Sequence, residues 1–226
     1  MIKEIKKAIK TLLEVEAEEP EKSKEPSDAG QKIVILDPSS LSEEMLAEEP
    51  EPMNTIGLFC DVTEEKVAEV IHGLLYLDHL YANSSPEKRK PIDFYVSTYG
   101  GSADDMFSLY DIMRNVKENN EIHTIGMGKV MSAGVLILAA GTQGKRKIGA
   151  NCRVMIHSVL GANHGSLHNM INEMEAIEQL QDMYISCLAA NTKMTKSQIK
   201  KMLERKVNVY LTAEEAVELG IADIII

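Results

Sequence analysis

The sequence predicts an α/β fold with a mainly parallel sheet. Three observations carry that prediction. Between residues 55 and 141, three strand-like runs each lead into a helix-like run. Parallel strands need long crossovers, which helices supply. The junctions hold Thr63, Gly100-Gly101-Ser102 and Ser132, residue types that stop strands or start helices. A long run from about Ser166 to Ala190 then repeats apolar residues at helical spacing.

"TIGLFCDV" (55–62) is expected as the first strand. Thr63 is its following N-cap, with Glu64 and Glu65 in the first turn, where acids complement the helix dipole. Val67, Val70, Ile71, Leu74, Leu75 and Leu77 form a broad buried face. "ANSSPEKRK" reads as a loop, "PIDFYVSTYGG" as a strand stopped by glycine, and "SADDMFSLYDIMRNV" as a helix capped by Ser102. "EIHTIGMG" is a third strand leading to Ser132, and "VLILAAG" a helix closed by Gly141. "KRKIGANCRVMIH" reads as a turn and then a strand ending at His157. The long helix carries Leu167, Met170, Ile171, Met174, Ile177, Leu180, Tyr184 and Leu188 on its stripe, which suits packing against another chain. "YLTAEEAVELGIADIII" closes the domain with a helix capped at Thr212, stopped by Gly220, and a last strand.

Residues 1–52 differ in kind. They hold 14 Asp and Glu against 7 Lys and Arg, a net of −7, leaving −4 of the total −11 for the rest. "MIKEIKKAIKTLLE" spaces Ile2, Ile5, Ile9, Leu12 and Leu13 on one face of a short amphipathic helix. "EAEEPEKSKEPSDAGQ" has the composition of a solvated linker, "KIVILD" that of a short strand, and "SEEMLAEEPEP" that of a polar connection. The boundary falls near Met53, giving an acidic N-terminal extension over 1–52 and a domain over 53–226. The amphipathic helix suits contact with a membrane surface or a partner, or belongs to a frayed or removable N-terminal extension, which is the expected reading.

Several classes are excluded. A net charge of −11 does not suit nucleic-acid phosphates. The longest apolar run, Val135 to Ala140, is far short of the roughly 20 residues of a membrane span. The N-terminus has no signal-peptide core, so a cytoplasmic protein is expected. Cys60, Cys152 and Cys187 lack metal or disulfide spacing and are expected as reduced core thiols. Neither nucleotide-loop motif occurs.

Ser132 admits two readings: a helix cap, or a nucleophile held where its hydroxyl stands beyond the strand end. His157, ending "RVMI", is the best placed base; His72 and His79 lie within a helix, His123 begins a strand, and His164 and His168 flank the long helix. The amides of Gly101 and Ala133 are candidate oxyanion donors. The flanking motif is not the G-x-S-x-G elbow, because Val130 stands two residues before the serine.

"STYGGSADDMFSLYDIM", "GMGKVMSAGVLILAAGTQGKRKIGANCRVMIHSVLGANHGS" and "YLTAEEAVELGIAD" together resemble the Clp protease proteolytic subunit family, ClpP, over about Ile56 to Asp223. The resemblance implies a ClpP/crotonase-like fold of repeated β-β-α and βα units with a protruding handle helix. It implies Ser132 as nucleophile, His157 as base, and Gly101 and Ala133 as the oxyanion hole. It further implies heptameric rings stacked as a tetradecamer, unfolded polypeptide substrates and an AAA+ Clp unfoldase that uses the ATP, with no cofactor on this chain. The family's aspartate corresponds here to Asn208, with Glu204 as the nearest alternative acid, so a weaker or silent catalytic site is a second expectation. Tyr99 and Ala150 stand where the family has proline, and Asp93 and Lys147 where its unfoldase-docking cleft is apolar. A crotonase-like acyl-CoA enzyme is the remoter alternative, with no CoA site visible in the sequence.

Overall fold

The computed structural model describes residues 53–81, 89–162, 164–204 and 207–226. The expectations for the extension, including its amphipathic helix and the 32–37 strand, lie outside these residues, as does most of the 82–90 loop.

Among the described residues seven strands form one sheet. Strand β1 (Thr55–Leu58), helix α1 (Glu64–Tyr81), β2 (Ile92–Thr98), α2 (Ala103–Val116), β3 (Ile122–Met131) and α3 (Ala133–Ala139) follow the expected alternation. Then come β4 (Lys147–Ile148), β5 (Arg153–Ile156), α4 (Leu167–Asn191), α5 (Lys196–Leu203), β6 (Val209–Leu211), α6 (Ala213–Glu218) and β7 (Ile224–Ile225). The path β1-β2-β3-β4-β7 is parallel throughout, and β5 also runs parallel to β3. Only β6 is antiparallel, against β5.

Strand β2 alternates buried and half-buried residues, so Ile92, Phe94, Val96 and Thr98 face the helices. All seven residues of α3 are buried, which explains its continuous apolar sequence. Pairing of β2 with β3 shifts between Val96↔Gly126 and Thr98↔Val130, because β3 carries two extra residues there. Gly128, at φ 66°, lies inside this bulge. Beyond it β3 leaves β4 and pairs with β5 at Lys129, Val130 and Met131. A bulge bends its strand and re-aims the residues beyond it; the residue re-aimed at the end of β3 is Ser132.

Some expectations required correction. The first strand ends at Leu58, and Val62 returns only as a lone bridge to Gly101. Leu75, assigned to the buried face of α1, is 44% exposed, and Ile71 is only half-buried. Tyr81 completes that face instead, its hydroxyl donating to Asn54 at 2.8 Å. Cys60 is exposed and is no core thiol. Cys152 is buried, and burial pushes its thiol up to about 11. Helix α5 was missed, although Thr195 and Gln198 form a reciprocal capping box legible in the sequence.

Arg146, 2% exposed, fastens the far side of the domain. Its guanidinium donates to both carboxylate oxygens of Asp223 at 2.6 and 2.8 Å, to Ala139 O and to Asn191 O. Asp223 also accepts from the amides of Gly144 and Arg146. Burial alone would raise the Asp223 carboxyl, but the hydrogen bonds and charge of Arg146 hold it below its ordinary value. Its stabilising contribution is therefore complete above the unfolded value near ~3.9 and is lost as pH falls through the lower folded value. Thermal melts should show this acid-side loss in the native chain and not in Asp223→Asn. Arg146→Met, which strands the carboxylate, is expected to cost about 3–5 kcal/mol by urea unfolding; a loss under 1 kcal/mol would contradict it.

Candidate active site

Ser132 stands between the end of β3 and the start of α3 with φ 55° and ψ −121°. It is the only non-glycine residue at positive φ among the described residues. Such a conformation costs on the order of 1–3 kcal/mol and persists only where surrounding contacts impose it. Three do so: the Ser132 amide donates to Met155 O on β5 at 2.8 Å, and its carbonyl accepts from the Val135 amide at 3.0 Å. The same carbonyl accepts from the Tyr184 hydroxyl on α4 at 3.1 Å. Tyr184 is buried, which pushes its hydroxyl well above the ordinary phenol range and keeps it a neutral donor.

The side chain makes no capping bond, so of the two sequence readings the cap fails in its usual sense. The Oγ lies instead 2.8 Å from His157 Nε2. His157 follows β5 immediately, and β5 is held between β3 and β6, which fixes where the imidazole leaves the sheet. With the proton on Nδ1, Nε2 accepts the serine hydroxyl proton, the arrangement a general base requires.

Gly100 and Gly101 meet this corner from β2. A Cβ on Gly100 would stand 2.5 Å from Ser132 Cβ and 3.0 Å from its Oγ, at φ +101°. Gly100→Ala is therefore expected to displace the serine and lower any Ser132-dependent activity at least about a hundredfold, since misplacement of a reacting group by about 1 Å has that effect. Equal activity with an unchanged melting temperature would contradict it. Thr98 Oγ1 accepts from the Gly100 amide at 3.0 Å, and Val62 N donates to Gly100 O at 2.8 Å. The Gly101 and Ala133 amides have no acceptor among the described residues.

A cleft of about 350 Å³ opens in front of the pair. Gly101, Ala133, Ser132 and His157 lie on its wall, with Met106, Phe107, Val159, Leu160 and Leu180 supplying apolar surface. It can take an apolar side chain while a neighbouring carbonyl lies against Ser132.

Asn208 stands apart from the pair. The β5–β6 register pairs Ile156 with Val209, so its next step sets Asn208 across from His157. The side chain is nevertheless exposed and makes no hydrogen bond to His157 among the described residues. Glu204, the C-cap of α5, is exposed and equally unbonded to the histidine. Thr98 and Tyr184 were missed as supports of the site. For Tyr184 the signal was present: a phenol on an apolar helical stripe needs a partner for its hydroxyl. Among the described residues no group of His, Cys, Asp and Glu is arranged to hold a metal, and no helix is long and apolar enough to cross a membrane.

Comparison with known proteins agrees with this architecture. The chain is 32% identical over 165 residues to ATP-dependent Clp protease proteolytic subunit 1 of Prochlorococcus marinus strain MIT 9312, covering 73% of this chain and 80% of the relative. It is 31% identical to the protein of the same name from Prochlorococcus marinus subsp. pastoris, covering 73% and 79%. The family model for Clp protease matches residues 51–226, and with that match over the whole described fold the chain belongs to the Clp protease family.

Proposed function

We propose that this chain is the proteolytic subunit of a self-compartmentalised protease, a serine endopeptidase that cuts unfolded polypeptides to short peptides. The observation that carries the reading is the 2.8 Å contact between Ser132 Oγ and His157 Nε2 at a strained strand-to-helix turn. In the first half-reaction Oγ attacks the scissile carbonyl while Nε2 takes its proton. The oxyanion forms within reach of the Gly101 and Ala133 amides, whose N–H groups have no acceptor among the described residues. Nε2 then returns the proton to the leaving amine, and a water activated by the same nitrogen cleaves the acyl-enzyme. Asn208 is the orienting residue of this proposal: its amide oxygen can accept Nδ1–H but cannot offset the imidazolium charge.

Ring assembly belongs to the same proposal. Helix α4 has 25 residues, yet its buried side chains are Tyr184, Ile185 and Leu188, all in its last third. Leu167, Ile171 and Met174 are 68%, 46% and 64% exposed. Such a stripe suits burial against second copies, as in heptameric rings stacked face to face. An AAA+ unfoldase would deliver substrate with its own ATP, in the cytoplasm, and this subunit would carry no cofactor. Native mass determination together with labelling by a serine-reactive phosphonate tests both parts. A monomer, or labelling that persists in Ser132→Ala, would count against the reading.

The absence of a bond between Asn208 and His157 favours one alternative, a silent ring subunit with an assembly or regulatory role. Rings of the expected mass with no peptide hydrolysis would favour it.

A further inference from the structure

Two cations beside the site have no acidic partner among the described residues. Lys129 on β3 and Arg153 on β5 are Cα partners in the parallel register. Neither has a carboxylate at salt-bridge distance among the described residues, in a chain with 35 acidic residues against 24 basic. Each is held instead over an aromatic ring: Lys129 Nζ lies 4.7 Å from the Tyr99 centroid, and the Arg153 guanidinium 4.9 Å from that of Tyr210. A ring attracts a cation and fixes its position without neutralising it.

The placement of this pair relates it to the chemistry. Side chains alternate along a strand, so Lys129 and Met131 share one face of β3, and Arg153, Met155 and His157 one face of β5. The register joins Lys129 to Arg153 and Met131 to Met155, so the two cations lie on the face from which His157 projects. Tyr99 links them to the cleft, since it lines that cleft with Ser132 and is also the ring beneath Lys129. Lys129 precedes Ser132 by three residues, about 10 Å of strand, and an extended substrate advances about 3.3 Å per residue. For a substrate extended along β3, a side chain about three residues from the scissile bond would fall at the level of Lys129. Glu214 borders the hollow that Arg153 lines, without pairing with it.

We propose that Lys129 and Arg153 form an acidic-residue subsite, which binds an Asp or Glu side chain of the polypeptide about three positions from the bond Ser132 attacks. The proposal rests on the peptidase reading for its register. It adds a preference in substrate choice, with Tyr99 and Tyr210 as the residues that position the charges.

The test uses the full chain and a set of fluorogenic peptides that differ only in Glu, Gln or Lys at positions two to four residues on either side of one cleavable bond. At low salt the Glu peptides are expected to exceed the Gln peptides about threefold to tenfold in kcat/KM, and Lys peptides to fall below both. The preference should shrink at 0.5 M salt, where exposed charges are screened. Lys129→Gln with Arg153→Gln should bring the Glu and Gln peptides to equal rates within that variant, and Lys129→Glu should reverse the preference. Equal and measurable rates for the three peptides in the native chain, or a preference unchanged in the double variant, would overturn the proposal. Binding of the labelled Glu and Gln peptides to Ser132→Ala, followed by fluorescence anisotropy, separates it from the peptidase reading. Tighter binding of the Glu peptide with no cleavage by the native chain sinks the peptidase reading and retains the subsite. Cleavage with no difference in binding does the reverse.

Discussion

Ser132→Ala is expected to lower peptide hydrolysis by about 10⁴- to 10⁶-fold and to abolish labelling by a serine-reactive phosphonate. Removing a nucleophile leaves only what binding and the oxyanion donors contribute, and knockouts of this kind in serine proteases fall in that range. The fold should tolerate the change. The Ser132 side chain makes no capping bond, and its turn is fastened by its own amide, its carbonyl and Tyr184, all of which alanine keeps. Alanine at φ 55° is strained, as serine is, so a drop in melting temperature of no more than a few degrees is expected. Residual hydrolysis within tenfold of the native chain, at matched ring assembly, would falsify the assignment of Ser132 as nucleophile.

Asn208→Asp is expected to act in the opposite direction, raising kcat/KM by about ten- to a hundredfold. The reasoning is electrostatic. Transfer of the serine proton to His157 creates an imidazolium, which a carboxylate stabilises and an amide only orients. The reverse replacement in a serine protease with a buried aspartate costs about 10⁴ in kcat. A smaller effect is expected here, because position 208 is exposed and water screens its charge. The β5–β6 register sets residue 208 across from His157, so the new carboxylate is introduced beside the imidazole. The comparison is of initial rates on one neutral peptide at fixed enzyme concentration, with active serine counted by phosphonate burst. If the ratio stays within twofold, the orienting group of His157 lies elsewhere, and Glu204→Gln becomes the next variant to measure.

These two substitutions concern residues 76 positions apart in the chain, yet their legibility in the sequence differed sharply. Ser132 stood out as a candidate because a strand, a serine and a fully apolar helix succeed one another without interruption, although position alone favoured a helix cap and the nucleophile role came from the resemblance. His157 was readable because it ends "RVMI". Composition and spacing left open whether Ser132 caps its helix, since both roles place a serine at the same position. The answer depended on a positive φ that no propensity encodes, and on β5 arriving from 25 residues further along. Tyr184 shows the same limit. Its periodicity placed it correctly on the stripe of α4, but its hydroxyl finds the Ser132 carbonyl only because α4 crosses the end of β3. The misassigned Leu75 has the converse explanation: an 18-residue helix packed on one side cannot bury a face as broad as its apolar sequence suggests.

From the sequence alone, with Asn208 added only by the family resemblance, came the α/β class, the order of strands and helices, the N-caps Ser102 and Thr212, and the candidates Ser132, His157, Gly101 and Ala133. These are local properties: alternation, helical spacing and capping chemistry act within a few residues and are written in order along the chain. Tertiary structure alone decided that the Ser132 hydroxyl turns to His157, that Gly100 leaves no room for a Cβ beside it, and that Asn208 stays in solvent. Each depends on strand register, on the β3 bulge and on packing between elements distant in the chain. Those are settled only when the whole core closes, because a shift of one residue in any pairing would move every one of these contacts together.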